Sequence, residues 1–192
     1  MRAIILAAGR GSRLGSITKN SHKSLIKFKK TNLIENVIKN FKKNKIKNIS
    51  IVTGYNYKKL KKYNYKMFHN NKWNKTNMIY SLTKADKWLS NYPCIISYSD
   101  IFFENTAIRI LKNSKNNFVL LNNKNWLNNW KARYKNPLND AESFKIDKQK
   151  NLIEIGQKEK NIKNIQGQYM GLIKITPKIW NLIKKKNARN HV

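Results

Sequence analysis

Apolar residues in this chain come in short runs separated by polar, lysine- and asparagine-rich stretches. The first run, Ala3 to Ala8, is continuous and stops at Gly9. An unbroken run of this kind predicts a strand covered on both faces, as in a parallel sheet. Leu33, Ile34, Val37, Ile38 and Phe41 then recur at helical spacing and predict a helix over 33–43. A second strand is expected over Ile49–Thr53, closed by Gly54, with a weak helix near 57–62 and a third strand over 66–69. Ile79, Leu82, Ala85 and Leu89 fall on one side of a helix running from Thr76 to Leu89. Further strands are expected over 93–97 and 118–121, with a helix beginning over 106–111 between them. Residues 144–146 and 152–155 read as a hairpin around 148–150, followed by a strand over 170–175 and a last helix over 178–184. Strands alternating with helices predict an α/β fold with a mainly parallel sheet, helices on both faces and a small β-hairpin excursion. No internal repeat or linker interrupts the pattern, so 1–192 is expected to form a single domain.

Composition changes this picture in one respect. Lys and Arg number 41 against 9 Asp and Glu, a formal net charge of +32. A polyanion partner is one reading. Yet the lysines are spread through every segment among Asn and Ile, residues that share A/T-rich codons, so drift in an AT-biased genome accounts for them more simply. Weak, salt-sensitive and non-specific nucleic acid binding is still expected. The lone cysteine, Cys94, excludes an intrachain disulfide and reads as an inert core thiol. No stretch approaches the ~18 apolar residues of a membrane span. The first residues lead directly into a strand, so no signal peptide and a cytoplasmic location are expected.

The first run also opens the candidate chemistry. Leu6-Ala7-Ala8-Gly9-Arg10-Gly11-Ser12-Arg13 puts small residues and two glycines at a strand end, where a ligand can approach the backbone. Backbone N–H groups in such a turn form a concave anion site. Arg13 adds a fork suited to phosphate, and Lys23 a compact charge for a phosphoryl group in transit. The spacing is neither that of a P-loop nor Gly-x-Gly-x-x-Gly, because position 14 is Leu14. Ligands of open α/β sheets bind beyond the carboxyl ends of the strands. Asp100 lies at such an end and could hold Mg²⁺ against a triphosphate, or cap the next helix or turn. Asp140 and Glu142 could complete a metal site, bind a cationic acceptor, or neutralise nearby lysines. Trp126 and Trp130 share a face if their segment is helical, and Arg133 follows. They read either as core aromatics with a surface arginine or as an acceptor pocket, the first favoured for Trp130 and the second for Arg133. His22, His69 and His191 do not cluster by spacing and are assigned no metal.

Leu6 to Leu14, then Lys23-Ser24-Leu25 and Leu33-Ile34-Glu35, resemble the nucleoside-triphosphate transferase family. Trp73-x-x-Thr76-Asn77-Met78-x-x-Ser81-Leu82, Tyr98-Ser99-Asp100-Ile101, Asp140-Ala141-Glu142 and Gly167-Gln168-Tyr169-Met170-Gly171-Leu172 look like its small cytidylyltransferases. Those enzymes act on phosphocholine, phosphonates or phosphorylated amino acids. The resemblance implies a Rossmann-like sheet of the nucleotide-diphospho-sugar transferase type. It implies CTP as donor, Mg²⁺ on Asp100, and pyrophosphate as product. It also implies nucleotide contacts from Leu6 through Arg13, Lys23, Thr76, Asn77 and Ser81, with Arg13, Lys23 and Asp100 catalytic. Gln168 and Tyr169, with Arg133, Asp140 and Glu142, would serve the acceptor.

Three features depart from the family pattern. His22 stands where proline is usual before the lysine, and Asn123 where relatives tend to carry Asp. The tail after the last helix, Asn187 to Val192, has no acid. Truncation, substitution by Asp140 or Glu142, or impaired activity would each account for the last. A sugar-1-phosphate nucleotidyltransferase using another base, and a non-catalytic basic nucleotide- or nucleic-acid-binding protein, remain the alternatives.

Overall fold

The computed structural model describes residues 1–189; His191 lies outside them. Its strands are β1 (Arg2–Ala7), β2 (Lys27–Phe28), β3 (Thr31–Asn32), β4 (Ile49–Thr53), β5 (Lys66–His69), β6 (Cys94–Tyr98), β7 (Phe118–Asn123), β8 (Glu142–Ile146), β9 (Leu152–Lys158) and β10 (Gln168–Ile175). Its α-helices are α1 (Leu33–Lys43), α2 (Met78–Thr83), α3 (Asp86–Leu89), α4 (Asn105–Asn113), α5 (Trp126–Lys131) and α6 (Pro177–Arg189). Short 3₁₀ turns cover Ser12–Thr18, Lys23–Leu25, Tyr57–Tyr63, Pro137–Asn139 and Ile162–Asn164. The chain divides into two compact units: residues 1–119 with the return from Gly171 onward, and Leu120–Met170.

The main sheet has six strands in the order β5-β4-β1-β6-β10-β7. β1 runs parallel to both β4 and β6, and β4 runs parallel to β5. β10 enters antiparallel to β6. The expected mainly parallel α/β sheet is therefore present. Ala3 through Ala7 are all buried, which is why β1 reads as an unbroken apolar run. Ile4, Leu6, Val52 and Ile96 form one core cluster with Leu82, Trp88, Leu89 and Trp180. Elsewhere in the first unit α1 packs against α4, and α4 against β6. Cys94 is buried in that core, and burial pushes its thiol pKa up to about 12, so it is inert as expected. Among the described residues no helix is long and apolar enough to cross a membrane.

The helix expected over 76–89 is two helices, α2 and α3. Asn77 has extended backbone and caps α2, its side chain accepting from Tyr80 N–H. Thr83 donates its hydroxyl to Tyr80 O at 2.7 Å, and Ala85 N–H bonds back to Leu82 O. These local bonds replace the helical ladder at the break. The second unit contains the hairpin expected near 144–155, β8 with β9. Its own core holds Trp126, Ala141, Phe144 and Ile165.

Asp86 joins α3 to α6. Its Oδ1 accepts from Trp180 Nε1 at 2.6 Å and pairs with Lys184 Nζ at 2.8 Å, and Ser90 adds a third bond. The Lys184 and Trp180 bonds hold its carboxyl below the ordinary 3.8. A depressed carboxyl pKa stabilises the fold above the unfolded value and loses that effect as pH falls through the folded one. Asp86→Asn is expected to lower the melting temperature at pH 7 by about 2–4 °C. The gap from wild type should close as pH drops below 3.8; a gap independent of pH would remove the carboxylate as the cause.

Candidate active site

The site begins where β1 runs out. The chain turns after Ala7 and continues through Gly9 into the Ser12–Thr18 turn, with Gly11 left-handed at φ 71°. A Cβ on Gly11 would stand 2.8 Å from Lys23 Cδ, so the lysine stem lies along the glycine. Gly9 does not take a positive φ, and a Cβ there would meet nothing within 4 Å. Its contribution is an open approach to the backbone.

Lys23 Nζ lies 2.9 Å from Asp100 Oδ2, both side chains partly exposed at 22% and 27%. Asp100 lies two residues past Tyr98, the end of β6, near the strand end as predicted. Asp100 does not cap the next helix, because α4 begins at Asn105 with Glu104 as its N-cap. Lys23 faces a cavity of about 220 Å³ walled by Leu6, Ala8 and Gly9 from the β1 end. Thr76, Asn77 and Ser81 line its other side. Ala7 is buried behind this wall, while Arg10, Ser12 and Arg13 are exposed on the adjoining turn. Arg10 stands 5.7 Å over the Tyr55 ring.

Sequence reasoning did not place Trp73, Met78 or Tyr98 in a site, although all three line the cavity. It also missed two residues that shape the wall. Tyr55 donates its N–H to Ala8 O at 2.9 Å and its hydroxyl to Lys19 O at 2.6 Å, and its ring meets Trp73 edge-on. Asn70, fully buried at the end of β5, donates to both Thr76 Oγ1 and Ser81 Oγ at 2.9 Å. Its own carbonyl oxygen accepts from Lys72 N–H. One amide thus sets two hydroxyls of the cavity.

The acceptor candidates all lie in the second unit. Gln168 is buried, and its amide spans the backbone of Glu142, donating to the carbonyl and accepting from the N–H. Arg133 falls beyond α5, over the rings of Trp130 at 5.5 Å and Tyr134 at 5.2 Å. Trp126 is a core residue, donating to Ile165 O, with Trp130 edge-on to it. Asp140 ends the Pro137–Asn139 turn, and Tyr169 is half-buried in β10. Asn123 accepts from Asn125 N–H, a local turn bond. Among the described residues no three His, Cys, Asp or Glu gather as a metal cluster, and His22 and His69 make separate hydrogen bonds.

Residues 3–131 match the sequence model of the MobA-like NTP transferase domain. The CTP:phosphoglutamine cytidylyltransferase of Campylobacter jejuni is 36% identical over 186 residues, 92% of this chain and 73% of that protein. The choline-phosphate cytidylyltransferase of Haemophilus influenzae is 34% identical over 134 residues, 68% of this chain and 56% of that protein. The inositol-1-phosphate CTP transferase structure from T. maritima superposes with a TM-score of 0.74 at 19% identity, covering 94% of this chain and 72% of that one.

Gly54 and Gly9 separate packing from access. A Cβ on Gly54 would stand 2.5 Å from Ala8 O and 2.6 Å from Trp73 Cβ. Gly54→Ala is expected to cost about 1–3 kcal/mol in urea unfolding by overpacking the wall. Gly9→Ala should leave the urea midpoint unchanged while weakening nucleotide binding in calorimetry. Equal midpoints for both variants would refute this account of the wall.

Proposed function

The chain belongs to the MobA-like NTP transferase domain family and is a nucleotidyltransferase, and we propose that it transfers CMP from CTP to a phosphorylated or phosphonate small metabolite, releasing pyrophosphate. The observation that carries this reading is Lys23, backed by Asp100 and facing a cavity formed by the end of β1 and the hydroxyl-rich start of α2. The cytidylyl preference rests on the cytidylyltransferases named above. CTP as donor supports a cytoplasmic setting. The dispersed cationic surface supports weak attraction of nucleic acid besides.

Mg²⁺ suits this site. It is commonly held by one or two carboxylates with substrate phosphates and water completing the shell, so Asp100 alone is a sufficient protein donor. When bound, the ion would supply charge neutralisation on the phosphate oxygens. The acceptor's phosphate or phosphonate oxygen attacks the α-phosphorus of CTP in line. The new P–O bond forms as the bond to the β-phosphate oxygen breaks, and that electron pair leaves with pyrophosphate. The attacking oxygen is already anionic, so no general base is needed. Catalysis then consists of positioning and charge stabilisation by this chain. The loop from Ala8 to Gly11 and Arg13 would hold the β- and γ-phosphates. Lys23 would offset charge on the α-phosphoryl group in the transition state. Thr76, Asn77 and Ser81 would meet the base and ribose. Arg133, Asp140, Glu142, Gln168 and Tyr169 are the acceptor candidates, with Gln168 acting through the backbone it braces.

Lys23→Ala is expected to lower kcat by about 10²–10³-fold. Its melting temperature should move little, because a partly exposed ion pair contributes little to stability. An unchanged rate would remove Lys23 from the mechanism. Calorimetry with CTP, UTP, ATP, GTP and dTTP plus Mg²⁺, at salt high enough to screen the +32 charge, should give tightest binding for CTP. Preference for another base would favour a sugar-1-phosphate nucleotidyltransferase, and equal weak binding of all five a non-catalytic chain.

A further inference from the structure

His22, the residue before Lys23, is fully buried. Its Nε2 lies 2.9 Å from Ala7 O. Its Nδ1 lies 2.7 Å from Ser24 Oγ and 3.2 Å from Ser24 N. A carbonyl oxygen only accepts, so Nε2 must carry the proton. Nδ1 is then bare and accepts from Ser24. The ring therefore joins the last residue of β1 to the Lys23–Leu25 turn, of which it is the N-cap. Burial lowers the imidazole pKa from 6.5 and Lys23 lowers it further, against the raising effects of the Ala7 bond and Asp100. The neutral ring is the form that this bonding pattern needs.

Lys23 is thus held at three levels. Its backbone turn is capped by His22, its stem rests on Gly11, and its ammonium meets Asp100. Only the His22 anchor is wholly shielded from water, and it fixes the turn directly to the strand whose end walls the cavity.

We propose that His22 is a positioning residue for Lys23: hydrogen bonds at both ring nitrogens set the lysine backbone against the end of β1, and so set where its ammonium meets the transferred phosphoryl group. The inference rests on the role proposed above for Lys23. It makes a local, directional demand on the side chain that simple filling of space does not. Asn can replace the Nδ1 acceptor toward Ser24, and Gln can replace the Nε2 donor toward Ala7. Ala replaces neither.

The test compares the three variants with wild type in steady-state CTP turnover, with melting temperatures measured alongside. His22→Ala should lower kcat by about 10–100-fold, the scale of a lysine displaced by an ångström or less, with KM for CTP changing less than about threefold. Asn or Gln should recover part of the loss. Imidazole ¹⁵N NMR of wild type at pH 7 should show the Nε2–H tautomer at His22, whatever the assay gives. A kcat within about threefold of wild type in His22→Ala would overturn the proposal. So would an Nδ1–H tautomer or an imidazolium. Should all three variants melt early and lose kcat and KM together without recovery, the residue is only structural and the proposal fails. A wild type with no Lys23-dependent turnover would sink the functional reading instead; turnover that needs Lys23 but ignores His22 would sink this inference alone.

Discussion

β1 is hydrogen-bonded along both edges by parallel partners, and the site depends on that constraint. A strand paired on both sides has no edge left to extend. Parallel pairing also brings the carboxyl ends of neighbouring strands out together. Ala7 stands opposite Thr53, and Leu6 opposite Tyr98. Ala8, Gly54 and Ser99 therefore leave the sheet side by side. Ser99 N–H bonds to Leu6 O, and Tyr55 N–H to Ala8 O, which extends the sheet's order by one residue on each side. The squeeze on Gly54 between Ala8 O and Trp73 follows from the same convergence. So does the arrival of Asp100 beside Lys23, across 77 residues of sequence.

Net charge does little to explain specificity. A field from 41 cations attracts any anion. Among the described residues lining the cavity, Lys23 alone is charged. The rest of the lining is neutral, and Asn70 fixes two of its hydroxyls. Its buried amide can donate to Thr76 and Ser81 together only if both hydroxyls sit where they do. A buried amide left unsatisfied costs more than an ordinary hydrogen bond gains, so this arrangement is strongly specified.

Legibility in the sequence followed the same division. β1, α1, β4, β5 and the β8–β9 hairpin were readable because unbroken, alternating or helically spaced apolar positions report which faces are buried. The placement of Lys23 beside the glycine loop and of Asp100 past a strand end was readable, because a lysine after such a loop and a scarce acid at a strand end are unusual. The late start of α2 and its break from α3 were not, because Asn77 caps α2 with its side chain and Thr83 bonds back to Tyr80 O at the break, and apolar spacing does not record such bonds. Asn70 gave no signal: in a chain this rich in asparagine, one more at a strand end is unremarkable until its partners are seen. His22 looked like a small departure before the lysine, and its two hydrogen bonds reach back to Ala7 and forward only to Ser24.

The residues that hold the site and the residues that would meet phosphate are of different kinds. His22 and Asn70 are buried, neutral and bonded on both sides of their polar groups. Lys23 and Asp100 are charged, partly exposed and bonded to each other. A buried charge would be costly to move, because its desolvation has to be offset in every state it visits. A partly exposed ion pair is worth little in energy, so either member would give up its partner at small cost. Geometry held by uncharged groups and chemistry left to exposed charges let the frame stay fixed while the charges are reassigned.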